Sequence, residues 1–129
     1  MNFELMPDHV GELYTWALKE LHDQLRPDTY FEIGTATGDT LALADCTSIA
    51  VDPAFRVARD VVGKKPACCL FQLTSDEFFA RHDLGGLLGK PVSMAFLDGM
   101  HHFEFLLRDF INTEKHCRAP RRIRFSDAT

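Results

Sequence analysis

The chain has 129 residues, a length that suits one domain with its own hydrophobic core. Its net charge is −5 with histidine neutral, which argues against nucleic acid as a partner because phosphate contacts are made by clustered Lys and Arg. The longest uncharged run, residues 66–75, is too short to span a membrane, and the N-terminus lacks the regions of a signal peptide. We therefore expect one domain, residues 1–129, that binds neither nucleic acid nor membrane.

The cysteine pattern indicates free thiols. The four cysteines contain no C-x-x-C pair, so the spacing of a zinc ribbon is absent. Cys68 and Cys69 are adjacent in an apolar run, and neighbouring residues of a strand point to opposite faces of the sheet. Buried thiols fit this pattern better than a disulfide, and we expect a reduced, cytoplasmic protein.

The first predicted element is a leading helix within residues 1–27. Apolar residues recur at three- and four-residue spacing over residues 8–25 and line one face of a helix. Asp8 is suited to cap its start, and Pro27 ends the pattern. Residues 28–129 then form the predicted sheet core.

A glycine-rich turn follows the first predicted strand. The strand Thr29–Ile33 leads into Gly34 and then Gly38, and a short helix is expected over residues 38–45. Gly34 permits a close approach of a ligand to the main chain. A strand, a glycine turn and a helix N-terminus are typical of the nucleotide-binding corner of an open α/β sheet. A tight turn without a ligand would explain the same residues.

The second predicted strand, Ser48–Val51, ends in an acid. An acid at this point of a doubly wound nucleotide-binding fold hydrogen-bonds ribose hydroxyls, so Asp52 is a candidate for that contact. Alternatively, Asp52 simply caps a helix that begins at Pro53 and runs to about Gly63. We favour the ribose contact.

Three more strands complete the predicted sheet. The third, Ala67–Gln72, precedes a helix capped by Thr74 or Ser75. The fourth, Val92–Leu97, precedes an Asp-Gly-x-His sequence and a helix with one apolar face. The last, residues 122–127, alternates polar and apolar residues. The expected fold is a Rossmann-like, doubly wound α/β sheet of about five mostly parallel strands with helices on both faces.

Two motifs resemble those of class I S-adenosylmethionine-dependent methyltransferases. The first is Glu-x-Gly-x-x-x-Gly, in which Glu32 stands just before the first glycine. The second, after the fourth strand, is Asp98-Gly99-x-His101-x-Phe103, which is similar to a subgroup related to O-methyltransferases.

The resemblance implies a cofactor site and an acceptor site. S-adenosylmethionine would be bound by Glu32, Gly34, Thr35, Gly38, Asp52, Ser75 and Asp76. Capping accounts for Ser75 and Asp76 almost as well. Asp98 and His101 would face a small-molecule hydroxyl, with His101 as the base for methyl transfer to oxygen. In metal-dependent members a second acid joins the strand-four acid around a divalent ion such as Mg²⁺. Asp127 fits that place, although Ala128 stands where a further ligand is common.

Two departures from the family leave alternatives open. The family continues past strand five with two more strands, which this sequence lacks, so strand five would be an open edge that a homodimer could cover. The chain could instead be a truncated or divergent cofactor-binding or interaction module without transferase activity. A dinucleotide-dependent oxidoreductase is disfavoured, because Ala36 replaces a glycine of the G-x-G-x-x-G fingerprint.

Overall fold

The computed structural model describes residues 2–7, 11–98, 103–117 and 122–127, with side chains described for residues 15–98, 106–117 and Ile123. The strands are β1 (Asn2–Pro7), β2 (Thr29–Ile33), β3 (Thr47–Val51), β4 (Cys68–Phe71), β5 (Met94–Leu97) and β6 (Arg122–Asp127). The helices are α1 (Gly11–Leu25), α2 (Ser75–Arg81), α3 (Leu84–Leu88) and α4 (Phe103–Glu114). A single 3-10 turn spans Leu41–Leu43.

The strands form one sheet in the order β1-β6-β5-β2-β3-β4, and every pair is parallel. From β2 the chain moves outward to β3 and β4, then returns to the other side of β2 for β5 and β6. Parallel strands require crossover connections, and the helices supply most of them. The protein is therefore α/β with a parallel sheet flanked by helices.

Alternate residues of the strands contribute to two separate hydrophobic cores, one on each face of the sheet. On one face, Phe31 and Ile33 of β2 pack with residues of α2, α3 and α4. On the other, Tyr30 of β2 and Met94 of β5 pack with α1 and the 3-10 turn. Helices and loops cover both faces of the sheet. This explains why the sequences of the central strands are nearly continuous runs of apolar residues.

Strands β2 to β5 and helices α2 and α4 lie where the sequence predicts them. Thr74 caps α2 in a capping box, since its hydroxyl accepts the N–H of Glu77 while the Glu77 side chain accepts the N–H of Thr74. The leading helix is present as α1, whereas its predicted cap Asp8 lies outside the described residues.

One strand was not predicted. The N-terminal segment forms β1, which pairs in parallel with β6 from Asn2 beside Arg122 to Pro7 beside Asp127. Over the described residues the sheet therefore has six strands rather than the predicted five. The edge of β6 that was expected to be open, and from which a homodimer was inferred, is paired within the chain.

The helix predicted over residues 54–63 does not form. The N–H groups of Arg56 and Ala58 donate to carbonyls of the preceding glycine turn instead of to their own helix. Asp60 accepts the N–H groups of Val62 and Gly63 with its side chain, a local bond that competes with helix. The short helix expected over residues 38–45 is likewise reduced to the 3-10 turn.

Among the described residues, no helix combines the length and the apolar composition that a membrane crossing requires.

Gly38 tests how tightly this irregular segment packs on the glycine turn. A Cβ at Gly38 would lie 2.6 Å from Cγ1 of buried Val61, and the φ of Gly38 is +92°. We expect Gly38→Ala to lower the free energy of unfolding by about 3 kcal/mol, from overpacking together with the strained φ. Chemical denaturation monitored by circular dichroism measures the change.

Gly63→Ala is the control, because Gly63 also has a positive φ of +50° but nothing within 4 Å of the added Cβ. It should cost about 1 kcal/mol from backbone strain alone. Val61→Ala should partly rescue Gly38→Ala, giving a double mutant less destabilised than the sum of the single changes. If the changes in unfolding free energy of the two single mutants were strictly additive, the contact between position 38 and Val61 would be contradicted.

Candidate functional site

The candidate site lies at the carboxyl ends of β2, β3 and β5. Main-chain bonds hold these ends together, from Gly34 N to Val51 O at 2.9 Å and from Asp98 N to Ile33 O at 2.8 Å. Between β2 and β5 the chain order changes direction, because β3 lies on one side of β2 and β5 on the other. In open parallel sheets, the crevice at such a point is where ligands bind.

The glycine turn, residues 34–40, is built from left-handed backbone conformations. Gly34 and Gly38 have φ of 85° and 92°, and Ala36 between them has φ of 50°. Such conformations are open to glycine and cost alanine about 1 kcal/mol. Gly38 N donates to Thr35 O at 3.0 Å and closes the turn.

Asp52 fixes the conformation of the turn. Its Oδ2 accepts the N–H of Ala36 at 2.8 Å, and its Oδ1 accepts the N–H of Ala54 at 2.8 Å. The carboxylate is buried and joins the end of β3 to both the glycine turn and the segment that follows. Neither sequence interpretation anticipated this role: no helix begins here for Asp52 to cap, and each oxygen already accepts one backbone donor.

The 54–61 segment lies along the glycine turn. Arg56 N donates to Ala36 O at 2.9 Å, and Ala58 N donates to Thr37 O at 3.0 Å. Arg59 pairs with Asp39 of the turn at 2.8 Å, an exposed ion pair of small energetic value. The segment therefore supports the turn from the side of β3.

Glu32 is a fully buried carboxyl group directly below the turn. Its Oε1 accepts the Tyr30 hydroxyl at 2.6 Å and the Thr40 hydroxyl at 2.7 Å, whereas Oε2 has no hydrogen-bond partner. Burial raises the pKa of Glu32 to about 7; the hydroxyls of Tyr30, Thr40 and Thr35 oppose the increase, and the negative charge of Asp98 adds to it. Glu32 thus titrates near neutral pH, which is characteristic of functional sites.

Thr35 adds a second buried polar atom without a partner. Its side chain is 4% exposed, and Oγ1 makes no hydrogen bond of ordinary geometry, although it is close enough to the Glu32 carboxyl group to oppose the increase in its pKa. Buried polar groups are nearly always hydrogen-bonded, so an orphaned atom requires a specific explanation. Two such atoms, on Glu32 and on Thr35, therefore lie close to one another beneath the glycine turn.

The acceptor-side residues are described in part. Asp98 follows β5 directly and is half-buried. His101 lies outside the described residues, and Asp127 is described as the last residue of β6 without its side chain. The pairing of Leu97 with Phe125 brings the ends of β5 and β6, and hence Asp98 and Asp127, to the same edge. In the part of the chain whose side chains are described, no group of three His, Cys, Asp or Glu could hold a metal ion.

Ser75 and Asp76, which the resemblance implies as cofactor-binding residues, contact α4. Ser75 Oγ donates to Asp109 Oδ1 at 2.6 Å, and Arg108 pairs with Asp76 at 2.5 Å. Asp109 is 2% exposed with Oδ2 unpartnered, and burial raises its pKa to about 6. The two residues thus join α2 to α4 in this structure.

Sequence reasoning missed Tyr30, Thr40 and Asp109 as members of buried polar clusters. Tyr30 and Glu32 stand two apart on one strand, so the period of two places them on the same face. That spacing was a usable signal. The sequence contained no such signal for Asp109, because it lies near Glu104 and Arg108 in a helix pattern whose charged residues are expected to be exposed to solvent.

A separate cleft of about 400 Å³ lies at the other end of β2, beside the end of α1. It is lined by His22, Asp23, Arg26, Pro27, Leu43, Asp45 and Cys46. None of the predicted site residues contributes to it.

Comparison with known proteins gives no assignment: no protein-family model matches the chain, and no curated protein matches it in sequence.

The burial of Glu32 makes a prediction about pH. Its pKa is about 7 in the folded protein and 4.5 ordinarily, so between these values the folded state binds more protons than the unfolded state. Stability from this group is present below pH 4.5 and is lost as pH rises to about 7, by about 3 kcal/mol. Glu32→Gln removes this titration, so its stability relative to the wild type should increase by that amount over the window.

Urea denaturation of both proteins from pH 4.5 to pH 7.5 measures the difference across the window given by the pKa of Glu32. Asp39→Asn, at an exposed acid paired with Arg59, serves as the control for removing one carboxylate. A pH-independent difference between Glu32→Gln and wild type would show that Glu32 is not a buried, proton-binding carboxyl group.

Proposed function

We propose that this chain binds S-adenosylmethionine at the glycine turn and transfers a methyl group to the oxygen of a small-molecule hydroxyl. The observation that carries the proposal is the fully buried carboxyl group of Glu32 below the turn, whose pKa is raised to about 7 and whose Oε2 makes no hydrogen bond of ordinary geometry, with the Thr35 hydroxyl close by. Leaving buried polar atoms unsatisfied costs about 1–3 kcal/mol each. A ligand that hydrogen-bonds them would recover this free energy.

The strand order supports a doubly wound, Rossmann-like sheet. The order β4-β3-β2-β5-β6 runs outward from β2 in both directions, and the turn stands at the point of reversal. We propose that the cofactor lies in this crevice, across the carboxyl ends of β2 and β5.

The residues of the crevice fit a cationic ligand. S-adenosylmethionine supplies an activated methyl group on a positively charged sulfur, and its amino group carries a second positive charge. Glu32 and Asp98 interact electrostatically with one another at the ends of adjacent strands. A cation between them would favour the charged form of Glu32 and lower its raised pKa. Asp52 would hold the turn in place, and its second lone pairs can still accept ribose hydroxyls.

Asp98 and His101 would act on the acceptor hydroxyl of the substrate. We propose that Asp98 orients the acceptor hydroxyl at the end of β5 and that His101, three residues on, removes its proton near neutral pH. Asp98 and Asp127 are the residues that would contact a divalent ion such as Mg²⁺, since oxygen ligands suit that ion. The four cysteines are free thiols, which supports a reducing compartment such as the cytoplasm.

Isothermal titration calorimetry with S-adenosylmethionine and S-adenosylhomocysteine tests the cofactor site. The wild type should bind both at one site, and Glu32→Gln should weaken binding of each by about tenfold or more, because a charge-assisted hydrogen bond is lost. Asp52→Ala is a poor probe, because it would also release Ala36 and Ala54 from the turn.

Asp109→Asn is the matched control, because Asp109 is also buried with one unpartnered oxygen and a raised pKa, but it lies between α2 and α4. It should leave cofactor binding unchanged. Equal loss of binding in both variants, or no binding by folded wild-type protein, would overturn the proposal.

A second candidate is a cofactor-binding or interaction module without transferase activity. The 54–61 segment favours it, because hydrogen bonds to the turn replace the expected helix there. Incubation with labelled S-adenosylmethionine and a panel of catechol and sugar acceptors separates the two. Methyl transfer that is lost in His101→Ala supports the transferase, whereas tight binding without transfer to any acceptor favours the module.

A further inference from the structure

The cleft beside the end of α1 has a buried histidine at its floor. Among the residues that line the cleft, His22 is the most buried, at 6% exposed. Its ring lies edge-on to buried Tyr30 with 4.9 Å between the ring centroids, and no described group hydrogen-bonds its Nε2. Buried polar atoms are nearly always hydrogen-bonded, so this nitrogen favours a ligand or a bound water at the floor.

An arginine stands at the cleft in a conformation that favours glycine. Arg26 follows the last residue of α1, has a φ of 45° and donates its N–H to His22 O at 2.9 Å. Helices commonly end in such a left-handed residue, which is usually glycine because a side chain there costs about 1 kcal/mol. The presence of arginine despite this cost favours a role for its side chain, which is exposed and lines the cleft.

The 3-10 turn and the residues after it form another wall of the cleft. Leu43, Asp45 and Cys46 belong to this wall, and Asp45 is its exposed acid. Buried Lys65 donates from Nζ to two main-chain carbonyls of residues 41–44, at 2.9 and 2.6 Å. These bonds hold the turn in place, and ligand sites are usually preformed in this way.

Arg26 and Asp45 are opposite charges that are available at the cleft. Asp23, the other acid of the lining, pairs with Lys19 at 2.9 Å. In the part of the chain whose side chains are described, no ion pair engages Arg26 or Asp45. Arg26 can therefore bind an anionic group of a ligand, and Asp45 can bind a cationic group.

The charges favour a zwitterion over a phosphate. A phosphate carries about two negative charges, which would meet the carboxylates of Asp23 and Asp45 with one arginine to offset them. His22 adds no positive charge near neutral pH, because burial, with nearby Lys19 and Lys65, lowers its pKa to about 4. A ligand with one negative and one positive group avoids this imbalance.

The rest of the lining is apolar, and the cleft is small. Pro27 and Leu43 are partly buried. The volume of about 400 Å³ lies near the lower end of the roughly 300–1,000 Å³ of small-molecule pockets. The ligand should therefore be a small molecule with an apolar part beside its two charged groups.

We propose that the cleft binds a free amino acid with an apolar side chain. Its carboxylate pairs with Arg26, and its ammonium group pairs with Asp45. Its side chain contacts Pro27 and Leu43 above His22. The cleft lies at the opposite end of β2 from the glycine turn, so this inference does not rest on the proposed methyltransferase function.

Isothermal titration calorimetry with leucine, methionine and phenylalanine, each up to roughly 10 mM, measures binding. At least one of them should bind at one site with a Kd below about 1 mM. The amine and the carboxylic acid obtained by removing one charged group from that amino acid should bind at least about tenfold more weakly, because each loses a charge-assisted contact. Excess S-adenosylmethionine should not displace the amino acid, since the two sites lie at opposite ends of β2.

Substitutions at the two charged residues test their roles. Arg26→Gln and Asp45→Asn should each weaken binding by about tenfold or more. Arg59→Gln and Asp39→Asn are the matched controls, because they alter an exposed ion pair beside the glycine turn, and both should bind like the wild type. Arg26→Gly should abolish binding with a denaturation midpoint no lower than that of the wild type, since glycine suits the left-handed φ. That combination separates loss of the ligand contact from loss of the fold.

Each of three results would overturn the proposal. The first is that none of the three amino acids binds. The second is that inorganic phosphate binds more tightly than any of them, which would define an anion site instead. The third is that Arg26→Gln and Asp45→Asn bind the amino acid as tightly as the control variants do.

Discussion

The carboxylate of Asp52 is the constraint on which the candidate site depends. It accepts one N–H from the glycine turn and one from the start of the 54–61 segment, both at 2.8 Å. Hydrogen bonds to a charged acceptor contribute about 1.5–3 kcal/mol each, enough to offset the strain of a left-handed Ala36. Once Asp52 binds both segments, the N–H groups of Arg56 and Ala58 fall opposite the carbonyls of the turn. These N–H groups are therefore not available for the hydrogen bonds of a helix after β3, and the expected helix does not form.

Buried titratable groups make opposing contributions to the dependence of stability on pH. Glu32 and Asp109 have pKa values raised by burial to about 7 and about 6, so both favour the folded state at low pH. Burial, with the nearby Lys19 and Lys65, lowers the pKa of His22 to about 4, so protonation of His22 favours unfolding below its ordinary pKa of 6.5. The two contributions oppose each other between about pH 4 and pH 6.5, and only the loss from Glu32 continues above that range.

The sequence predicted the centre of the sheet well because local patterns determine it. The apolar runs of β2, β3 and β5 each end in turn-forming residues, and Thr74 and Glu77 form a capping box within four residues. The prediction failed for segments whose secondary structure depends on contacts with residues that are distant in the chain. β1 is a strand because β6 pairs with it across the whole length of the chain. The 54–61 segment has a helical pattern of Val57 and Val61, but Val61 packs on Gly38 instead.

The candidate site shows the same difference between features set by local sequence and features set by distant contacts. The glycine turn and Asp52 were singled out from local sequence, and Glu32 and Thr35 from the resemblance alone, whereas the contacts that these residues make depend on distant backbone and side-chain donors. Both oxygens of Asp52 accept hydrogen bonds, and Asp52 therefore has a sufficient structural explanation. For Glu32 the explanation is less complete, because Oε2 makes no hydrogen bond of ordinary geometry and burial raises the pKa to about 7. An apolar side chain of similar size would avoid that cost, since replacing buried charged groups by well-packed hydrophobic ones is often neutral or stabilising. The proposed cationic ligand would explain why a carboxyl group is retained below a strained glycine turn, beside the acid that follows β5.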